Sequence, residues 1–390
     1  MTDHFDFDQT INREGSHSLK YDLRKLLFGD ANVTPMWVAD MDFAPPPAVT
    51  GALIERAKHP ILGYTLEPDS LFDALIQWHK KRHGWDIKRE WILLSPGVVP
   101  SLHAASLAFA QAGESIIVQP PVYFPFFAAV KNTGRTLIEN PLLLQNNRYS
   151  IDFDHLESCA EKARMLFLCS PHNPVGRVWR ADELQRLLSI AEQHDLMIFS
   201  DEIHADLIYP DNKHYPLATL ANGSNNIITA VAPSKTFNIA GLGLSALIVP
   251  DATHRLAIQQ AFETLHTSAS NPFSMVAFEA AYSEGENWLE ALLSYLTTTR
   301  DFVTDYLATH LPQIKLIAPE STYLLWLDCR SLGMNDHELK KFFIEKAQLG
   351  LSHGTLFGTG GSGFMRMNIG APKQTIADAL EQLKQAFISK

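Results

Sequence analysis

Leu196-Met197-Ile198-Phe199-Ser200-Asp201-Glu202-Ile203-His204 is an apolar run of strand length that ends on two adjacent carboxylates. An Asp at the end of a buried strand needs a cationic or hydrogen-bonding partner, so this run predicts both an element and a site. Short apolar runs rich in β-branched residues recur at 91–95, 115–118, 135–139, 164–170, 227–231 and 245–249. Segments of helical period lie among them near 101–111 and 181–194, and another follows the last at 254–265. That alternation predicts an α/β fold with a largely parallel sheet. Within 181–194, Leu184, Leu187, Leu188 and Ala191 recur at i, i+3, i+4 and i+7, a single apolar stripe that should cover a sheet face.

Past about residue 287 the pattern changes to a long helical stretch, a strand at 323–328, a helix at 335–347 and a closing helix at 373–387, which reads as a second, smaller α+β unit. The first 45 or so residues match neither part and end in the stiff, extended Met41-Asp42-Phe43-Ala44-Pro45-Pro46-Pro47. A chain of 390 residues allows two or three domains at ~150 residues each.

Composition narrows the setting. With 46% hydrophobic and 19% charged residues, and 21 Gly and 22 Pro without period, the chain is neither disordered, collagenous nor a coiled coil. Lys and Arg total 32 against 43 Asp and Glu, a net charge of −11, and no basic run exceeds His79-Lys80-Lys81-Arg82-His83. Nucleic acid and anionic membrane are therefore poor partners. Cys159, Cys169 and Cys329 show no C-x-x-C spacing, which predicts neither a disulfide framework nor a metal site and suits a reducing cytoplasm. No apolar stretch follows basic residues at the N-terminus, and none reaches membrane-spanning length, so neither signal peptide nor membrane span is expected.

Two fingerprints match by spelling and fail by context. Gly358-Thr359-Gly360-Gly361-Ser362-Gly363 has the G-x-G-x-x-G form, but a strand, not a helix, is predicted after it at 364–369. Gly350-Leu351-Ser352-His353-Gly354 has the G-x-S-x-G form, yet it follows a helix instead of linking a strand to one. His194, His204 and His214 lie ten residues apart and share no helix face, so separate surface or core roles fit better than a metal site.

What remains are four turns at the carboxyl ends of predicted strands, where open α/β sheets bind ligands. Ser95-Pro96-Gly97-Val98-Val99-Pro100 is a glycine turn leading into a helix expected at Ser101, with free N–H groups that suit a phosphate. Ser170-Pro171-His172-Asn173-Pro174-Val175-Gly176 offers an Asn amide on a proline-stiffened turn, although a plain turn is spelled the same way. Asp201 closes the third strand. Ala232-Pro233-Ser234-Lys235-Thr236-Phe237-Asn238 places a lysine in a largely apolar setting. Most lysines are solvated surface groups, so Lys235 gains meaning only from the company of the other three turns.

Together these are the parts that hold pyridoxal phosphate: an imine lysine, a carboxylate for the ring nitrogen, a donor for the ring hydroxyl and a phosphate cup. The chain resembles the fold-type I pyridoxal-phosphate enzymes, the class I/II aminotransferase superfamily, along nearly its whole length. Within it, Met36-Trp37-Val38-Ala39-Asp40-Met41-Asp42-Phe43, Gly63-Tyr64, Asp201-Glu202-Ile203-His204-x-Asp206, Ser234-Lys235-Thr236-Phe237-Asn238 and Phe364-Met365-Arg366-Met367-Asn368 are most similar to the cystathionine β-lyase type C–S lyases, the MalY/PatB group. The resemblance implies an aspartate-aminotransferase-like fold, with a large cofactor domain at 48–286 and a small discontinuous domain from 1–47 and 287–390. By position it implies Lys235 as the imine lysine, Asp201 beside the ring nitrogen and Tyr123 stacked on the ring, these three carrying catalysis. Asn173 would donate to the ring hydroxyl, and Gly97, Val98, Val99 and Ser234 would hold the phosphate. Tyr64 would reach cofactor and substrate from a second subunit of a homodimer, and Arg366 would bind the substrate carboxylate as a planar fork.

Aminotransferases usually carry an Arg eight residues after the imine lysine, where this chain has Gly243, and a Tyr three residues after the Asp, where it has His204, here taken as a cofactor neighbour. Many relatives have Ser at the position of Ala232. The first two departures agree with the C–S lyase branch. The implied reaction is α,β-elimination from cystathionine or other S-substituted cysteines, giving pyruvate, ammonia and a thiol. An aminotransferase on the same scaffold and a non-catalytic regulatory protein on a decayed one are the alternatives; the intact Lys235, Asp201, Asn173 and Arg366 argue against decay.

Overall fold

In the computed structural model, which describes residues 5–221, 223, 225–269 and 271–388, the seven apolar runs become one sheet. Its strands are β1 (Ile92–Ser95), β2 (Ser115–Val118), β3 (Thr136–Glu139), β4 (Met165–Cys169), β5 (Met197–Asp201), β6 (Ile227–Val231) and β7 (Ser245–Ile248). The spatial order is β1-β7-β6-β5-β4-β2-β3. Only β7 runs antiparallel to its neighbours β1 and β6; every other pair is parallel.

Every residue of β4, β5 and β6 is buried because helices cover both faces. Side chains alternate along a strand, which sorts the core into two layers. Leu166, Leu168 and Ile198 pack with Leu184, Leu187, Ile190 and Ala191 of helix Ala181–Gln193; of the stripe read from the sequence Leu184, Leu187 and Ala191 are buried, Leu188 is only partly buried, and Ile190 joins the buried face. Met165, Phe167 and Phe199 face Leu102, Phe126 and Ile258 on the opposite side. Burying each such leucine contributes ~2 kcal/mol.

The second sheet is antiparallel, in the order β8 (Lys315–Leu316), β9 (Leu324–Asp328), β11 (Phe364–Asn368), β10 (Ser352–His353). It packs with the long helix Glu286–His310 and the closing helix Lys373–Ile388. Thr34–Pro35, in the segment that matched no pattern, pairs parallel with Leu349–Gly350. The helix expected at 335–347 is α-helical only over Asp336–Lys341 and continues as a π-helix over Phe342–Lys346.

Other helices left little periodic trace. Pro272–Glu284 buries Met275, Ala277, Phe278, Ala280, Ala281 and Tyr282, most of its circumference, so it has no single apolar stripe to detect. The glycine-rich 358–363 is a loop that enters β11, and Gly350 and Ser352 lie on short strands, so neither discarded fingerprint has its required context. Among the described residues no helix is long and apolar enough to cross a membrane.

Candidate active site

The carboxyl ends of β1, β4, β5 and β6 surround a cavity of about 210 Å³. Gly97, Val98, Val99, Tyr123, Asn173, Asp201, His204, Ser234 and Lys235 all line it, together with Ala39, Ala232 and Gly243. A larger cleft of about 740 Å³ lies elsewhere, lined by Arg82, His83, Asp206 and His214 among others, and holds none of these strand-end residues.

Strand alternation separates the two adjacent carboxylates. Glu202 turns away and is satisfied by Ser200 Oγ at 2.8 Å, Leu217 N–H at 3.0 Å and His214 Nε2 at 2.9 Å. Asp201 faces the cavity, where its Oδ1 accepts only a long bond from Ile203 N–H at 3.2 Å. Burial pushes its carboxyl up to about 7, against the Ile203 N–H, which favours the ionised form. Lys235 donates from Nζ to the carbonyl of Ala39 at 2.7 Å, and burial pushes its amine down to about 8. His204 is buried, pushed down to about 3 by desolvation and then by the charges of Lys235 and Arg366, and its Nδ1 has no partner.

The helix expected from Ser101 begins at Val98, with Gly97 as its N-cap, and runs to Phe109. Pro100 permits the earlier start, because N–H groups of a first turn have no intrahelical acceptor and a proline there forfeits nothing. Gly97 has φ 153° and ψ 163°, a conformation essentially confined to glycine. Its carbonyl accepts from Ser101 Oγ at 2.9 Å, and no side chain caps the helix, so the N–H groups of Val98 and Val99 remain free.

Arg366, on β11 opposite Trp326 and Ser352, is 3% exposed. It donates from Nη1 to Asn173 Oδ1 at 3.0 Å and from Nη2 to the Trp37 carbonyl at 2.7 Å, while Nε has no partner. Burial lowers its guanidinium to about 10, and Tyr123 and Tyr323, not a carboxylate, are the groups that oppose the shift. The bond from Arg366 occupies the Asn173 oxygen, which leaves the amide nitrogen as the donor for a ligand. Gly243 sits at φ 54°, where a Cβ would lie 3.4 Å from the Pro96 carbonyl, so an arginine at this position would strain the backbone. Tyr64 stands apart: it is fully exposed, on a stretch without regular structure.

Sequence reasoning missed the backbone half of the site. Residues 36–43 cross it as a strap: Asn368 Nδ2 donates to Val38 and Asp40 carbonyls at 2.6 Å each, and Tyr323 OH donates to Ala39 O at 3.0 Å. Carbonyls carry no side-chain signal; only the asparagine in the Arg366-x-Asn368 motif hinted at them.

A mostly parallel sheet with a half-buried lysine and a buried carboxylate around one cavity, and an arginine without a carboxylate partner bonded to the cavity-lining Asn173, defines an enzyme of the fold-type I aminotransferase class. The chain belongs to the aminotransferase class I and II family, whose sequence model matches residues 31–383. It is 42% identical over 384 residues to the cystathionine β-lyase PatB of Bacillus subtilis, covering 98% of this chain and 99% of that one. Among solved structures, cystalysin from Treponema denticola, which contains a pyridoxal 5′-phosphate cofactor, superposes with a TM-score of 0.95 at 38% identity and covers 99% of both chains. The pyridoxal-phosphate-bound C–S lyase of Staphylococcus hominis gives 0.92 at 32% identity, over 99% of this chain and 98% of that one.

Proposed function

We propose that this protein is a pyridoxal-phosphate-dependent C–S β-lyase that cleaves cystathionine and other S-substituted cysteines to a thiol, pyruvate and ammonia. The observation that carries the reading is the cavity-lining Lys235, at about 8, together with a buried Arg366 that bonds the cavity-lining Asn173 and keeps its Nε unpartnered.

The cavity fits the cofactor group by group. The free N–H groups of Val98 and Val99, with Ser234, suit its phosphate. Asp201, raised by burial, is a carboxylate that a cationic ring nitrogen would hold ionised. Asn173 suits the ring hydroxyl, Tyr123 a ring face, and His204, kept neutral, adds no charge beside it. When bound, the cofactor supplies an electron sink for the carbanion formed at the substrate Cα.

The protein's own residues do the rest. Arg366 binds the amino-acid carboxylate and orients Cα toward Lys235, with Nε among its available donors. Lys235, neutral to a useful extent near neutral pH because burial disfavours its cation, takes the Cα proton at Nζ. The strap at 36–43 closes one side and limits water. Loss of the thiolate from Cβ completes the elimination, and hydrolysis of the remaining fragment gives pyruvate and ammonia. Replacing Lys235 with Ala should abolish pyruvate release from cystathionine; retained turnover would sink the assignment. Transfer of the amine to a keto acid from an amino acid without a β leaving group would favour an aminotransferase instead.

The working form we infer is a homodimer with Tyr64 donated across the interface. The exposed Ile61, Leu62, Tyr64 and Leu66 support it, an apolar run that one chain leaves uncovered. We assign 48–286 to a cofactor domain and 1–47 with 287–390 to a smaller one, on the strength of the Thr34–Leu349 pairing. Three free, buried cysteines support a reducing, cytoplasmic setting.

A further inference from the structure

Asp206 is 5% exposed, five residues beyond Asp201, and takes no part in the chemistry above. Its carboxylate gathers donors from two separate elements. Oδ2 accepts from Thr236 Oγ1 at 3.0 Å. Oδ1 accepts from Trp78 Nε1 at 3.1 Å and lies 3.1 Å from His83 Nε2 and 3.3 Å from Arg82 Nε, all three on helix Asp69–His83. Thr236 is fully buried and directly follows Lys235.

We propose that Asp206 is a positioning residue for Lys235, acting through the Thr236 hydroxyl. The inference rests on the reading of Lys235 as the base of the lyase. Lys235 lies on Pro233–Thr236, a single helical turn. One turn has almost no stability of its own, so tertiary contacts must set its orientation. Among them are the Thr236 bond to Asp206 and the edge-on contact of the buried Phe237 with Trp78 at 5.5 Å, Phe237 also packing against Tyr282 and Trp288. The first two both reach helix Asp69–His83, the Thr236 bond through Asp206 and Phe237 through Trp78. The amine of Lys235 is thereby held from its backbone side while Ala39 O holds it from the cavity side.

A carboxylate serves this purpose only if it stays ionised. Burial opposes its charge, but the His83 bond and the charges of His83, Arg82 and His79 outweigh that, holding Asp206 well below the usual carboxylate range. Other groups facing this cluster are His214, 5.4 Å from the His83 ring and bound to Glu202, Glu290, bound to Arg82, and Tyr282, 5.4 Å from the Trp78 ring. A permanent acceptor leaves the Thr236 hydroxyl one favourable orientation, donating to Asp206.

The test compares Thr236→Val, which keeps the shape and removes the hydroxyl, with Thr236→Ser and Asp206→Asn. Two readouts are taken: kcat and KM for pyruvate release from cystathionine, and, in the cofactor-free protein, the pH dependence of Lys235 acetylation by acetic anhydride, followed by peptide mass. A bond to a charged group suggests a loss of roughly tenfold in kcat for Thr236→Val with KM nearly unchanged. Lys235 labelling should shift in parallel, Thr236→Ser should recover both, and Asp206→Asn should resemble Thr236→Val. Wild-type kcat and labelling in Thr236→Val, even with a lowered melting temperature, would overturn the proposal and leave Asp206 a purely structural group. Altered labelling in a protein whose wild type releases no pyruvate would support the positioning role while refuting the lyase reading.

Discussion

Burial disfavours the charged forms of Arg366, Asp201 and Lys235 alike: it brings Asp201 to about 7 and Lys235 to about 8, where each can change protonation near neutral pH, and lowers Arg366 to about 10, where it stays a cation. Asp201 binds its proton more tightly in the cofactor-free fold, at about 7, than in the unfolded chain. Between about pH 4 and 7 the folded state therefore holds more protons, so Asp201 makes folding less favourable as pH rises through that window. Asp201→Asn should make the cofactor-free protein more stable than wild type at pH 8 by on the order of a few kcal/mol, with the gain vanishing toward pH 4 in urea melts. Arg366→Lys keeps the charge but loses the fork that reaches Asn173 and the Trp37 carbonyl. Its KM for cystathionine should rise roughly 10- to 100-fold with a smaller change in kcat, measured by steady-state kinetics. At this scale Lys235, Asp201 and Asn173 could be picked out as side chains at strand ends, and Arg366 through the family motif; Ala39 and Trp37 could not, because they act through carbonyls.

Among elements, the central strands and their order of appearance were legible, since each is a short apolar run closed by turn residues. The exact start of the helix at Val98 was not, because Pro100 reads as a boundary unless its place in a first turn is known. Nor was the link between the Asn173 turn and the segment leading to β9. Arg177, fully buried, is gripped by Glu183 at 2.8 and 2.7 Å and by Glu320, whose other oxygen meets Arg148 at 3.0 Å. Ser321 and Glu320 also bond the Gly176 carbonyl, so this cluster joins the turn carrying Asn173 to the second sheet. Glu320→Ala would strand part of a buried charge and should lower stability by about 3 kcal/mol, read from the denaturation midpoint. Charged residues 143 positions apart in sequence give no local sign that they meet.

For the molecule as a whole, the dimer reading makes a sharp prediction. Lys235→Ala and Tyr64→Ala are each expected to be inactive or nearly so, yet a mixed dimer places wild-type Lys235 and wild-type Tyr64 around one of its two cavities. After unfolding and co-refolding in equal amounts, roughly a quarter of wild-type activity should return if subunits pair at random. No recovery, in a sample shown to contain mixed dimers, would remove Tyr64 from the neighbouring site.

The sequence by itself determined the sheet, its helical cover and the four strand-end turns, because strand burial and helix stripes are local patterns repeated along the chain. Family resemblance read from its motifs added the cofactor and the reaction. Tertiary structure alone decided that residues 36–43 cross the site as a strap, that Glu202 turns away while Asp201 faces the cavity, and that Asp206 grips the residue after Lys235. Each of those depends on which distant groups meet, through backbone atoms or a choice between two sides of a strand, and neither leaves a pattern in residue order.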